Sequence, residues 1–241
     1  HYVVDRDINH NTLTVDTKPP LQTTTAIIKL ESITLREPLE AGQTLEFQTR
    51  YRQTPMTAVI GTVTESTLTL RNTEKADLVA LAELANNRDI WIHLRDVFPH
   101  PYRIEDATAW FEHVQASQHL LCLSILLDEE VVGVVSLEFK PDVYKKTAEL
   151  GYWLGEKAWG KGVATATVKQ ITAYAFETYD LARIEAKVFG WNPASKRVLE
   201  KCGYKLEGTL RNNIYKDGRL TDEFVYSILP SDMQQKKHLS I

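Results

Sequence analysis

The sequence predicts an α+β protein in which one mixed sheet flanked by helices follows a small all-β segment. Three observations carry that expectation. Up to about position 60 the apolar residues recur only with period two. From about Ser66 onward, segments of helical period alternate with period-two runs. Their order is strand, helix, helix, three strands, helix, strand, helix, two strands, which suits a single mixed sheet with helices packed on it. The implied division is a barrel-like all-β domain at 1–62 and an α+β domain at 63–241.

Taken in order, "HYVVDRDINHNTLTVD" alternates apolar and polar residues on both sides of "NHN", as a hairpin does. "TTTAIIKLESITL" and "QTLEFQTRYRQ" are threonine-rich strands separated by a turn carrying Pro38 and Gly42. "STLTLRN" is a short strand, and Leu78, Leu81, Ala82 and Ala85 then recur at helical spacing behind a capping-type Thr73. A helix, a proline-broken loop over 98–102 and a second helix opening near Glu105 and Asp106 follow. "HLLCLSILLD" and "EEVVGVVSLEF" form a hairpin, "TAELGYWL" is a third strand, and Ala164, Val168, Ile171 and Ala175 share one helix face. "RIEAKVFGW" is a strand, and "NPASKRVLEKCGY" is a helix with Asn192 as N-cap, Pro193 at its first position and Gly203 just past its end. Two strands around "KDGR" close the domain, and the tail "SDMQQKKHLSI" is expected to fray.

Composition narrows the function classes. The chain has 241 residues, 43% hydrophobic and 25% charged, enough to bury a core of ordinary size. A net charge of −4 gives no global attraction to nucleic acid or membrane. Two distant cysteines, Cys122 and Cys202, follow no disulfide or metal spacing and suit a reducing cytoplasmic compartment. There is no signal-peptide pattern and no apolar run of about eighteen residues. His93, His100 and His113 share no ligand spacing with cysteine or carboxylate, so no metal is expected. The chain begins at His1, which suggests a fragment or a processed product.

The residues with most chemical content are Gly160, Lys161 and Gly162, between a strand and a helix. Glycines there allow successive backbone N–H groups to converge, and a helix N-terminus adds unpaired donors and partial positive charge, so an anion is stabilised. A plain strand-to-helix turn is the alternative. Neither the Gly-Lys-Ser/Thr of a P-loop nor the third glycine of a dinucleotide fingerprint is present.

The pattern Lys157-x-x-Gly160-x-Gly162-x-Ala164, after "ELGYWL" and before "NPASKRVLEKCGYKLEG", resembles the GCN5-related N-acetyltransferases (GNAT). Within that family it is most similar to the RimJ/RimL-like branch of ribosomal-protein N-terminal acetyltransferases, over about 66–229 and including "LTLRN", "FPHPYRIEDATAWF" and "DGRLTDEFVYSIL". The resemblance implies that Trp159, Gly160, Lys161, Gly162, Val163 and Ala164 hold the pyrophosphate of acetyl-CoA. The backbone of Gly151, Tyr152, Trp153 and Leu154 would run beside the pantetheine arm, on a strand that splays from its neighbour. Asn192 and Ser195 match the family's Asn-x-x-Ser near the thiol. Two departures, Lys157 for Gln or Arg and Ala166 for Glu, leave the backbone donors intact.

The implied reaction is attack of a free amine on the thioester. Glu149 is the first candidate base, directly or through water, with Glu185 behind it; the N–H near Tyr152 would polarise the carbonyl and Ser195 would donate to sulfur. The structural alternatives are a solvated strand carboxylate for Glu149 and a cap-completing serine for Ser195. Trp91, Arg95, Asp96, Phe98 and Tyr102 form the expected acceptor rim, with packing as the alternative for Trp91 and Phe98; Cys202 and Tyr204 are packing residues. The acceptor implied is a protein N-terminal amine, with a polyamine or aminoglycoside as runner-up. Acetyl-CoA binding without catalysis is a further reading, supported if Glu149 and Ser195 both turn from the cleft.

The N-terminal segment is similar to part of the C-terminal β-barrel of tRNA-specific 2-thiouridylases, chiefly through "RYRQTP". That likeness makes an RNA- or ribosome-docking module conceivable, with Arg36, Arg50 and Arg52 as phosphate contacts, although such residues are ordinarily a solvated strand face.

Overall fold

The computed structural model describes residues 67–234 continuously, and before them the backbone of five strands. These are β1 (Val3–Asp7), β2 (Thr12–Asp16), β3 (Ile27–Leu30), β4 (Thr44–Phe47) and β5 (Met56–Thr64). They form one sheet in the order β3-β2-β1-β5-β4, with β1 and β2 antiparallel and β1 parallel to β5. The "NHN" and Pro38/Gly42 turns, the "RYRQTP" run, Arg36, Arg50, Arg52 and the tail beyond 234 lie outside the described residues. The chain divides into a first unit of residues up to Thr67, with Gly160–Gly162 grouped to it, and a second, larger one of Leu68–Trp159 and Val163–Ile241.

The second unit is built on a seven-stranded mixed sheet. Its strands are β6 (Leu68–Asn72), β7 (Leu120–Leu127), β8 (Glu130–Phe139), β9 (Thr147–Leu154), β10 (Arg183–Phe189), β11 (Lys205–Lys216) and β12 (Arg219–Ile228). The order across the sheet is β11-β12-β10-β9-β8-β7-β6, and only β9 and β10 run parallel. The helices are α1 (Leu78–Ala85), α2 (Arg88–Trp91), α3 (Ile104–Ala116), α4 (Val163–Thr178), α5 (Pro193–Cys202) and α6 (Pro230–Gln234). Among the described residues no helix is long and apolar enough to cross a membrane.

Period-two alternation decides which face each residue serves. Ala148 and Leu150 of β9, with Ile184, Ala186 and Val188 of β10, point to one side and meet Val168, Ile171 and Ala175 of α4 and Leu199 of α5. Trp153, on the other side of β9, joins Phe98, Trp110 and the cluster that α1 and α3 form through Leu78, Ala82, Ala107 and Phe111. Helices therefore cover both faces, as the sequence pattern requires.

Two local expectations change. Thr73 is not a cap: it is buried and accepts from or donates to Ser124 Oγ at 3.1 Å, while the turn ahead of α1 is closed by Glu74 N–H donating to Asp77 at 2.9 Å. The first residues of the tail are ordered as α6, held by Leu229 N–H on Asp232 and by Lys205 on the same carboxylate. The α5 expectation holds: Asn192 accepts from Ser195 N–H at 3.0 Å, Pro193 opens the helix, and Gly203 ends it at φ 97°.

Candidate active site

The first feature of the site is a parting of strands. The pairing of β9 with β10 stops at Glu149 opposite Glu185, yet β9 continues to Leu154 and β10 to Phe189. Bonds from Gly155 N–H to Val132 and from Lys140 N–H to Thr147 fix the parity of the β8–β9 ladder. Odd-numbered residues of β9 bond to β8, so the N–H groups of Tyr152 and Leu154 face the opening. Backbone donors that a neighbouring strand would otherwise occupy are thus presented to a ligand. The family resemblance implies the pantetheine arm beside this edge, along the backbone of Gly151, Tyr152, Trp153 and Leu154.

The glycine turn is the second feature. Gly160 and Gly162 both have positive φ, 73° and 79°, which a side chain would strain, and α4 opens at Val163 directly behind them. Lys161 is exposed, and Trp159 is anchored by its indole N–H on the Leu154 carbonyl at 2.7 Å. Val163 is buried and Ala164 half-buried, so their side chains pack inward while the turn itself stays at the surface.

At the closed end of the opening, three carboxylates stand in register on adjacent strands: Glu138 opposite Glu149, and Glu149 opposite Glu185. Like charges placed so repel, and cations interleave with them. Lys140 and Lys187 each lie 3.2 Å from the same oxygen of Glu149. Lys140 also pairs closely with Glu185, which Arg183 reaches at 3.1 Å before bonding Glu207 at 2.6 Å. For Glu185 burial pushes the carboxyl up, but the Lys140 and Arg183 contacts outweigh it and the net displacement is downward. Glu185 is therefore held as the anion. A cavity of about 380 Å³ adjoins this cluster, lined by Lys140, Tyr144, Thr147, Arg183 and Glu185.

Ser195 and Tyr152 meet from opposite sides of the opening, hydroxyl to hydroxyl at 2.9 Å. Burial pushes the Tyr152 phenol up to about 12 despite the serine contact. Tyr204 is a core residue bonded to Thr172 Oγ1 at 2.9 Å, and the Cys202 thiol donates to the Thr165 carbonyl.

The residues of the expected acceptor rim differ in their surroundings. Phe98 stacks on Tyr102 at 4.5 Å and meets Trp153 edge-on at 5.9 Å, and Tyr102 is buried, so both belong to the α1–α3 cluster. Trp91 lies under Lys216 Nζ at 3.8 Å, and Asp96 pairs with that ammonium at 2.7 Å. Arg95 stays on the surface, 4.0 Å from Glu138. The sequence reading missed Lys140, Lys187 and Arg183. Lys140 and Lys187 stand two residues beyond Glu138 and Glu185, hence on the same strand faces, but only strand register brings them to Glu149. Among the described residues no group of His, Cys, Asp and Glu is placed to hold a metal ion.

Residues 67–205 match the model of the acetyltransferase (GNAT) domain. The chain is 34% identical over 113 residues to a putative ribosomal N-acetyltransferase, YdaF, of Bacillus subtilis, covering 47% of this chain and 61% of that protein. The microcin C7 self-immunity acetyltransferase MccE, solved with acetyl-CoA and AMP, superposes with a TM-score of 0.61 at 26% identity, covering 67% of this chain and 92% of that one. The spermidine N-acetyltransferase of Vibrio cholerae, solved with CoA and spermine, gives a TM-score of 0.61 at 25% identity over 69% of this chain and 98% of that one. The chain thus spans less than two thirds of the first of these relatives and nearly all of the two solved structures.

Proposed function

This chain belongs to the GNAT acetyltransferase family, and from that premise we propose that it transfers the acetyl group of acetyl-CoA to a protein or peptide N-terminal α-amine. Acetyl-CoA is the cosubstrate, its amide-rich arm alongside β9 and its pyrophosphate on the turn from Trp159 through Ala164. The observation that carries this reading is the strand parting beyond Glu149 and Glu185, which leaves the Tyr152 and Leu154 N–H groups facing an opening.

The chemistry asked of the protein is small. The amine nitrogen bonds to the thioester carbon, the C–S bond breaks onto sulfur, and the nitrogen sheds a proton. The Tyr152 N–H stabilises the oxyanion, as a preorganised donor does. Glu149 takes the proton through water, and Ser195 donates to the departing sulfur. An α-amine, with a pKa of roughly 7.7–8 against about 10.4 for lysine, is already partly neutral at neutral pH and needs only such a mild arrangement. The ionic cluster supports this acceptor over a polycation, because Glu149 and Glu185 already have ammonium or guanidinium partners.

A second reading, a small polyamine acceptor, is favoured by the likeness to the spermidine acetyltransferase. Acetyl-CoA turnover against N-terminal peptides, spermidine and an aminoglycoside decides between them. Thiol release with the peptide supports the first reading, release with spermidine alone transfers the case to the second, and none with any acceptor removes both.

A further inference from the structure

The Tyr152 hydroxyl has no part in the reaction as written, yet it reaches across the opening from β9 to the first turn of α5. We propose that Tyr152 is a positioning residue that fixes the Ser195 hydroxyl as a hydrogen-bond donor toward the leaving sulfur. The inference rests on the acetyl-transfer reading above.

The argument is a count of protons and lone pairs. A phenol and an alcohol carry one proton each, and both oxygens can accept. A serine in the first turn of a helix ordinarily turns its hydroxyl back to the backbone. Here Asn192 performs the capping, accepting from Ser195 N–H at 3.0 Å, so the hydroxyl is released for other use. With Tyr152 as donor to Ser195 Oγ, the serine proton is free for a third partner. With the reverse direction the serine proton is consumed and the site loses its donor. Burial keeps the phenol protonated, with its pKa pushed up to about 12.

The role is orientation and not net proton transfer. When the C–S bond breaks, its electron pair goes to sulfur, and the serine O–H stabilises that thiolate by a hydrogen bond. The proton that makes the free thiol comes from solvent, while the nitrogen's proton leaves through water. A phenol near 12 is too weak an acid to protonate a thiolate whose thiol has a pKa of about 8.5 to any extent. Tyr152 and Ser195 therefore end the cycle as they began it.

The test follows the thiolate absorbance of bound CoA against pH in the wild type, Tyr152→Phe, Ser195→Ala and the double variant, with kcat and KM measured in parallel. The wild type should hold the bound thiol below about 8.5. Each single variant should raise its pKa, and the double variant should raise it no further than Ser195→Ala alone. In turnover, Tyr152→Phe should lower kcat by roughly tenfold, the worth of one hydrogen bond, with KM for acetyl-CoA nearly unchanged. Ser195→Thr, which keeps the hydroxyl, should retain the dependence on Tyr152. Independent losses in the double variant, or an unmoved thiol pKa in Tyr152→Phe, would overturn the proposal and leave Tyr152 a packing residue. If the thiol behaves as stated but no amine is acetylated, the hydrogen bond from Tyr152 through Ser195 to the CoA sulfur stands, and its role in transfer falls with the acetyl-transfer reading. If CoA does not bind, both fall.

Discussion

Lys216 places its ammonium 2.7 Å from the carboxylate of Asp96 and 3.8 Å over the ring of Trp91, joining the end of β11 to the loop that follows α2. The lysine side chain is only 2% exposed and the aspartate 77%, so the two partners are not equivalent. Removing the aspartate leaves a buried cation with one partner fewer, whereas removing both takes the buried charge away as well. Asp96→Ala should therefore cost about 1–2 kcal/mol of unfolding free energy, and adding Lys216→Met should recover part of it. Denaturant titration of the two variants checks this; a double variant less stable than the single would show that the ammonium is held by Trp91 and the packing alone.

Acid sensitivity should centre on Asp77. Arg71 grips it through two hydrogen bonds of 2.7 Å, and Glu74 N–H and Ser124 add two more at 2.9 Å. Burial pushes this carboxyl up, the hydrogen bonds and the guanidinium charge more than offset that, and its pKa lies below the ordinary value. A depressed folded pKa means that the unfolded chain binds the proton more readily. The stabilisation is complete above the unfolded value of about 3.9 and is lost as pH falls through the folded one. Asp77→Asn should cost about 2–3 kcal/mol at pH 7 and flatten the stability curve below pH ~4. Thermal melts of both proteins at stepped acidic pH test it, and parallel curves would assign the acid response to other carboxylates.

Much of the larger unit was legible because its signals are local. The Asn192–Pro193 start and Gly203 stop of α5, the hairpin at 128–130 and the helical face of α4 each depend on residues a few positions apart. The parting of β9 and β10 was accessible only through family resemblance, since nothing in "ELGYWL" or "RIEAKVF" states where two strands cease to pair. What composition hid is what register creates. Glu138, Glu149 and Glu185 are far apart in sequence and become a row only when three strands align. The same holds for Asp96 and Lys216, separated by most of the domain, whose pairing beside Trp91 no local pattern announces. Thr73 misled for a related reason: its hydroxyl found Ser124 on β7, a partner the local capping rule does not see.

The glycine turn should tolerate methyl groups better than charge. Gly160→Ala or Gly162→Ala forces a Cβ into positive φ at a cost of roughly 1–2 kcal/mol, which should lower stability while leaving acetyl-CoA affinity measurable. Gly160→Asp or Gly162→Asp adds to that strain a carboxylate against the pyrophosphate and should abolish binding by calorimetry. Unchanged affinity in the aspartate variants would remove the turn from the cosubstrate site.

The interleaved cations should decide which acceptors the site accepts. Lys140 and Lys187 share one oxygen of Glu149, and Lys140 also holds Glu185. Replacing both lysines by glutamine leaves Glu149 and Glu185, 24% and 12% exposed, beside Glu138, with Arg183 still on Glu185. A polycation should then bind more tightly, by about 1 kcal/mol at low salt for a charge pair in a partly solvated site, less as ionic strength rises. The prediction is a spermidine KM lowered by roughly fivefold in Lys140→Gln/Lys187→Gln, fading between low and physiological salt, with the KM of a peptide that has no charged side chains changed less. A spermidine KM insensitive to both lysines would mean that amine selection lies outside the Glu149–Glu185 cluster. It would also withdraw the electrostatic support for an α-amine acceptor.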